Sequence, residues 1–300
     1  MSMLSISILG IVLAAVASVG FALQYIFVRI GTRSGSVEDV VWITLLCNTA
    51  IIVPLALVFS DGVVSPRSIM AFVAAGVVGA LLSRILMFES IQRIGASRTS
   101  PIVASNIIFA TIFAMFVFGD TVTLIHFFGV GLIVISIAYI SYETSNDPDS
   151  VDQNPTVKTI SLPILTALFI GMEPIFISIG LSLGTSTLTG LAVTVSTAFV
   201  GFSIYLVVSS GTPRPGVIFE PEFKWYLSTG LIITISMLSY FAALESAPVV
   251  FVVPVIQTSP LFIILISMFV LPDHVEKITW RLTVAAIGVV IGAVFVSLYG

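Results

Sequence analysis

The sequence predicts an all-α polytopic membrane protein, with ten transmembrane helices arranged as two inverted five-helix repeats. Three observations point there. Of the 300 residues, 58% are hydrophobic and 9% charged, and the mean hydropathy is +1.19, whereas a soluble domain is roughly half apolar and a quarter charged. The apolar residues fall in continuous runs of about 20, the length a helix needs to cross a bilayer core. The first five runs also find counterparts in the second five, in the same order.

The runs occupy residues 6–29, 38–59, 69–92, 97–118, 122–142, 159–182, 187–209, 223–246, 248–271 and 276–298. The first lacks a basic n-region and outlasts the roughly 7–15 apolar residues of a signal peptide, so a spanning helix is expected. The second contains Cys47, the only cysteine; it leaves no intramolecular disulfide to be made and reads as a small apolar filler. The third carries Arg84 and Glu89, and Pro101 lies near the start of the fourth. The fifth ends at the polar segment "ETSNDPDSVDQNPTVK". The sixth contains Glu173 beside Pro174, the eighth Tyr240 and Glu245, and the ninth Pro254 and Gln257. The tenth has a GxxxG step at Gly288 and Gly292, which serves close packing within the chain or between the two copies of a homodimer. The chain thus divides into a first repeat, 1–143, a polar linker, 144–158, and a second, inverted repeat, 159–300. Neither the linker nor the loop Ser210–Lys224 is long enough for a folded domain. An outer-membrane barrel would need alternating strands of about ten residues, and these runs are continuous and twice that length.

Laying "QYIFVRIGTRSG" (Gln24–Gly35) over "EPIFISIGLSLG" (Glu173–Gly184) matches Ile26, Phe27, Ile30, Gly31 and Gly35 with Ile175, Phe176, Ile179, Gly180 and Gly184. Shared apolar composition alone would not align two glycines. Further on, Asn48-Thr49-Ala50 lies over Ser196-Thr197-Ala198, Phe88-Glu89-Ser90 over Leu244-Glu245-Ser246, Pro101 over Pro254 and Asp120 over Asp273. Because five is odd, the second unit enters the bilayer from the opposite side, relating the halves by a pseudo-two-fold axis in the membrane plane. Such inverted repeats are characteristic of secondary transporters, with the substrate site near the midplane between the halves.

The five-plus-five duplication, Arg29 ending the first helix, "ASRTSPIVASNIIFATIFAMFVFGD" across the fourth, Pro101 and Pro254, and glycine-rich fifth and tenth helices resemble the EamA-like members of the drug/metabolite transporter superfamily. The likeness covers nearly the whole chain. It implies export or uptake of a small polar metabolite, coupled to protons or run by exchange. The family's acidic residue after the fourth and ninth helices is Asp120 and Asp273 here, and Arg29 has Ser178 as its repeat counterpart.

An ionised side chain at the centre of a spanning helix costs about 2.5–3.5 kcal/mol on insertion scales, so it is expected to face a cavity or a partner. Glu173 lies about 13 residues into its helix, roughly 20 Å and close to mid-bilayer. Pro174 lacks an amide hydrogen and crowds the Ile170 carbonyl, which predicts a kink and a free backbone acceptor beside the carboxylate. Gln24, its repeat partner, is uncharged, so an asymmetric site is expected. Glu89 has Arg93 four residues on and fits a local ion pair; Glu245 has only Phe241 and Val249 at those distances. Arg84 is about 140° from Glu89 around the helix and so looks elsewhere, toward Glu173 or an anionic group of the substrate. Tyr25, Asn48, Asn106, Tyr240 and Gln257 are neutral candidates for the same cavity, with interhelical hydrogen bonding as the competing role. Pro101 and Pro254 predict matched kinks or helix starts. Trp42, Trp225 and Trp280 fall near helix ends, as interface anchors do.

The two histidines, His126 and His274, lie near helix ends and no HExxH spacing occurs, so neither an intramembrane enzyme nor a metal site is expected. No GxxxxGK[ST] motif supports ATP drive and no cofactor is implied. The net charge of −4 gives no reason to expect nucleic acid. Substrate and membrane lipid are the expected partners. The function expected is therefore a secondary transporter of a small polar metabolite, working by alternating access. Its competitors are a passive channel, which would line one pore with polar rings, and a non-transporting membrane interaction protein. Arg29, Arg33, Arg93, Arg98, Lys158, Arg214, Lys224, Lys277 and Arg281 fall at odd loops and only Arg67 at an even one. The positive-inside rule then puts the odd loops in the cytoplasm and both termini outside the cytoplasmic membrane.

Overall fold

A computed structural model describes residues 8–60, 65–118, 124–145, 157–209, 215–246, 252, 255–271 and 278–298. Asp120, Pro254, Asp273, His274 and most of the 144–158 linker lie outside the described residues, as do the side chains of His126 and Glu245. All regular structure among the described residues is helical. In chain order it comprises α1 (Ile8–Gly31), α2 (Val37–Phe59), α3 (Pro66–Ala75), a π-helical segment (Gly76–Leu82), α4 (Ser83–Ile94), α5 (Ala96–Val103), α6 (Asn106–Phe118) and α7 (Leu124–Ser145). The second half has α8 (Val157–Ser182), α9 (Thr187–Ser209), a 3-10 turn (Pro215–Phe219), α10 (Phe223–Ser246), α11 (Ser259–Val270) and α12 (Trp280–Leu298). Among the described residues, 7 stretches are long and apolar enough to cross a membrane, including Pro66–Ile94 as one span and Ala96–Val117 as another. Phe127–Ile140, Ser259–Val270 and Trp280–Phe295 are shorter apolar helices. Large apolar side chains such as Phe59, Phe116, Phe127, Val208 and Phe269 stand exposed on the outside, a surface suited to lipid rather than water. The chain is a multi-pass membrane protein.

Local chemistry sets the helix starts. Ser36 accepts the Asp39 amide at 3.1 Å to open α2, and Ser65 accepts the Ser68 amide at 3.1 Å with Pro66 next to it to open α3. Gly95, at φ +90°, forms the single-residue joint between α4 and α5, a backbone conformation that a side chain would strain.

Packing joins the two halves. α1 lies along α10, α8 lies along α3, the π segment and α4, α2 packs on α9, and α7 packs on α12. The GxxxG step is used inside the chain: Gly288 faces Ser136, and a Cβ at position 292 would sit 2.7 Å from the Gly129 carbonyl oxygen. Gly292→Val should therefore push α12 off α7 and destabilise the protein by about 1–3 kcal/mol. Thermal melting in detergent measures this, and an unchanged melting temperature would contradict the packing.

Two spans are broken close to Pro101 and Pro254, where the sequence predicts matched kinks or helix starts. The α5–α6 span is interrupted at Ala104–Ser105 and its counterpart at Gln257–Thr258, in each case three to four positions after the aligned proline. Hydroxyls add to carbonyls that also accept a backbone amide at the breaks: Ser105 donates to Ile102 O at 2.6 Å, and Thr258 to Val255 O at 2.5 Å. The next carbonyl is met by the Asn106 amide in the first half, 3.0 Å from Val103 O, and by Ser18 of α1 in the second, 3.4 Å from Ile256 O. By contrast α8 stays helical through both Pro163 and Pro174, so the proline beside Glu173 does not end its helix.

Candidate functional site

Glu173, on α8, lines a narrow cleft together with Phe72 of α3, Ile177 of α8, Thr194 of α9, and Met237 and Phe241 of α10. Its carboxylate rests on Gly79 in the π segment, where any Cβ would overlap it. Gly76, one turn earlier, lets the same segment close on α9, since a Cβ there would sit 2.6 Å from the Thr194 carbonyl oxygen. In the π segment the Ser83 amide bonds to Val78 O instead of Gly79 O, and the Ser83 hydroxyl takes Gly79 O. Single-turn departures of this kind recur at functional sites.

Arg84 follows immediately, at the start of α4, and is buried. It lies within electrostatic reach of Glu173, but the two do not close a salt bridge. Arg84 Nη1 is 3.1 Å from the Asn48 side chain, and because a guanidinium can only donate, the Asn48 carbonyl oxygen faces it. The Asn48 NH2 then donates to Thr234 Oγ1 at 2.9 Å and to Thr44 O at 3.0 Å, while the Thr234 hydroxyl donates to Gly230 O at 2.8 Å. The guanidinium is thus positioned by α2 and α10, one from each half. One turn away, the buried Thr44 Oγ1 has no protein partner, and neither has Gln24 Nε2 on α1.

Tyr240 stands in the field of the Glu173 charge, with its ring edge-on to Phe21 at 6.5 Å and beside Phe241 at 5.7 Å. Tyr25 is buried in the core formed by α1, α2, α4 and α10. Gln257 is buried at the break before α11. Two other expected site residues are engaged locally: Asn106 caps the break after α5, and Glu89 accepts from Arg93 Nε at 2.8 Å and Nη2 at 2.5 Å on the partly exposed end of α4. The backbone of Glu245 belongs to α10; its side chain is among those not described. Trp42 is tied to α9, its Nε1 donating to Ser203 at 3.2 Å. Sequence reasoning did not single out Gly79, Thr234 or Phe72. The pair Gly76 and Gly79, at helical spacing within an apolar run, was the available signal for the first of these.

The family model of the EamA-like transporter family matches residues 8–142 and 157–298. The chain belongs to the EamA-like transporter family. It is therefore a member of the drug/metabolite transporter superfamily, whose proteins are membrane transporters. One solved structure, described only as "Crystal structure of protein", has the same fold as this EamA-like protein, with a TM-score of 0.60 and 13% identity over 93% of this chain and 95% of that one. No curated protein matches the chain. Within the EamA-like chain, opposite charges from the two matched segments, Arg84 and Glu173, stand within electrostatic reach of each other, and Glu173 lines a mostly apolar cleft. Such a cleft can exclude bulk water around the Glu173 carboxylate while leaving it open to a polar solute.

Proposed function

We propose that the protein is a secondary transporter carrying a small polar metabolite across the cytoplasmic membrane by alternating access, driven by protons or by exchange. The observation that carries this reading is the pairing of Arg84 from the first half with Glu173 from the second, held apart beside a cleft. In this reading residues 1–143 and 159–300 form two inverted five-helix repeats, ten spanning helices in all, joined by the linker 144–158. The mirrored pairings support the inversion: α1 on α10 answers α8 on α3 and α4, and the two helix breaks fall at aligned positions. Arg84 receives the acceptor group of the solute, Asn48 and Thr234 hold the guanidinium in place, and Glu173 either binds a donor group or exchanges a proton. Odd loops face the cytoplasm. Polar rings along a pore, the mark of a channel, are not part of this reading.

Proteoliposomes loaded with a pool of polar metabolites and offered labelled members one at a time test this proposal. At least one compound should accumulate by counterflow and saturate. No accumulation from a broad pool would overturn it.

A further inference from the structure

Among the described residues, the mirrored pairing of the halves differs at one tie. At the end of the bundle where α1 stops and α2 begins, the gap between α1 and α4 is tied shut. Arg29 Nη1 donates to the carbonyl oxygens of Ile91, at 3.1 Å, and Gln92, at 2.6 Å, and Gln92 Nε2 donates back to Thr32 O at 3.0 Å. Arg29 thereby brings positive charge to the C-terminus of α4, where the carbonyl ends of the helix concentrate negative charge. Two further ties close the same end. The Ser34 hydroxyl donates to the Glu222 carboxylate at 2.6 Å, which holds that carboxyl below the usual carboxylate range, and Trp42 bonds Ser203.

At the opposite end those two further ties have counterparts. Ser68 of α3 bonds Gly180 O at 2.9 Å and Thr185 at 2.6 Å, and Ser186 donates to Ser60 at 3.2 Å. The repeat position of Arg29 holds Ser178, whose side chain is too short to span to the next helix; positions 247 and 248, which align with Ile91 and Gln92, lie outside the described residues. The gap between α8 and α10, which mirrors the gap between α1 and α4, is the cleft that runs from Leu181 to Glu173. The same helix face is buried in α1, at Tyr25, and exposed in α8, at Pro174 and Ser178.

We propose that Arg29 is a latch on the α1–α4 gap, and that the mismatch between Arg29 and Ser178 sets which end of the bundle is open at rest. Two equal inverted halves would give two facing states of equal free energy, and a tie on one end alone breaks that equality. Passage of solute toward the Arg29 end then requires the guanidinium to leave the Ile91 and Gln92 carbonyls. The inference rests on the transporter reading only in treating the two states as inward- and outward-facing.

Spin labels on Arg33→Cys and Arg93→Cys, in a Cys47→Ser background, report the width of this gap by pulsed electron double resonance on the full chain. The parent should give one short distance. Arg29→Ser should raise a longer-distance population about tenfold, the factor carried by one hydrogen bond to a charged group, and Arg29→Lys, which keeps the charge and a donor, should restore much of the short distance. Gln92→Ala, which removes only the reciprocal bond, should shift the distribution in the same direction by less and serves if Arg29→Ser fails to fold. Distributions of Arg29→Ser and Gln92→Ala that superimpose on the parent overturn the latch. If Arg29→Ser widens the gap while the parent carries no solute in proteoliposomes, the latch stands and the transporter reading falls.

Discussion

Glu173→Gln should leave the protein folded and able to exchange its solute while abolishing its response to an imposed pH gradient. Glutamine keeps the length and shape that rest on Gly79 but cannot pick up and release a proton. If the carboxylate carries one proton per cycle, each pH unit of gradient corresponds to about 1.36 kcal/mol, or about tenfold accumulation. The parent should show that gain and the variant none, measured as gradient-driven uptake beside gradient-free counterflow. Identical behaviour of the two would make the carboxylate structural and move the search to Arg84 and Glu245.

Arg84→Met should be the most damaging single change, lowering counterflow by about a hundredfold and destabilising the protein. It leaves the buried Asn48 carbonyl oxygen without its donor, a cost of about 1–3 kcal/mol, and removes the charge that faces Glu173. Breaking a buried opposite-charge arrangement from one side typically costs about 3–5 kcal/mol, and because this pair closes no salt bridge the lower end applies. Arg84→Met combined with Glu173→Gln should melt higher than Arg84→Met alone, because the stranded carboxylate is then neutral. Normal counterflow in Arg84→Met would take the guanidinium out of the solute path.

The spans were legible because their signal is local: apolar length marks α1, α2, α8, α9 and α10 to within about two residues of the structure. Arg84 and Glu173 were legible for a related reason, since a charge inside an apolar run needs a partner wherever it folds. What escaped depends on contacts between distant segments. The matched prolines flag the breaks after α5 and before α11, but that Pro174 leaves α8 helical is not written in the local sequence. The Asn48 amide drew notice as polar, but that it would orient Arg84 depends on Thr234, 186 positions away along the chain. Gly79 matters only because Glu173 lies on it, a contact between helices of different halves that no helical period encodes.

A carrier and a pore differ in how efflux responds to substrate on the far side. The most direct test is efflux of a preloaded labelled substrate from proteoliposomes, with and without the same compound, unlabelled, outside. Alternating access predicts efflux that saturates with internal concentration and accelerates when substrate is present on the far side. Efflux that rises in proportion to concentration and ignores the far side would contradict it and identify a passive channel.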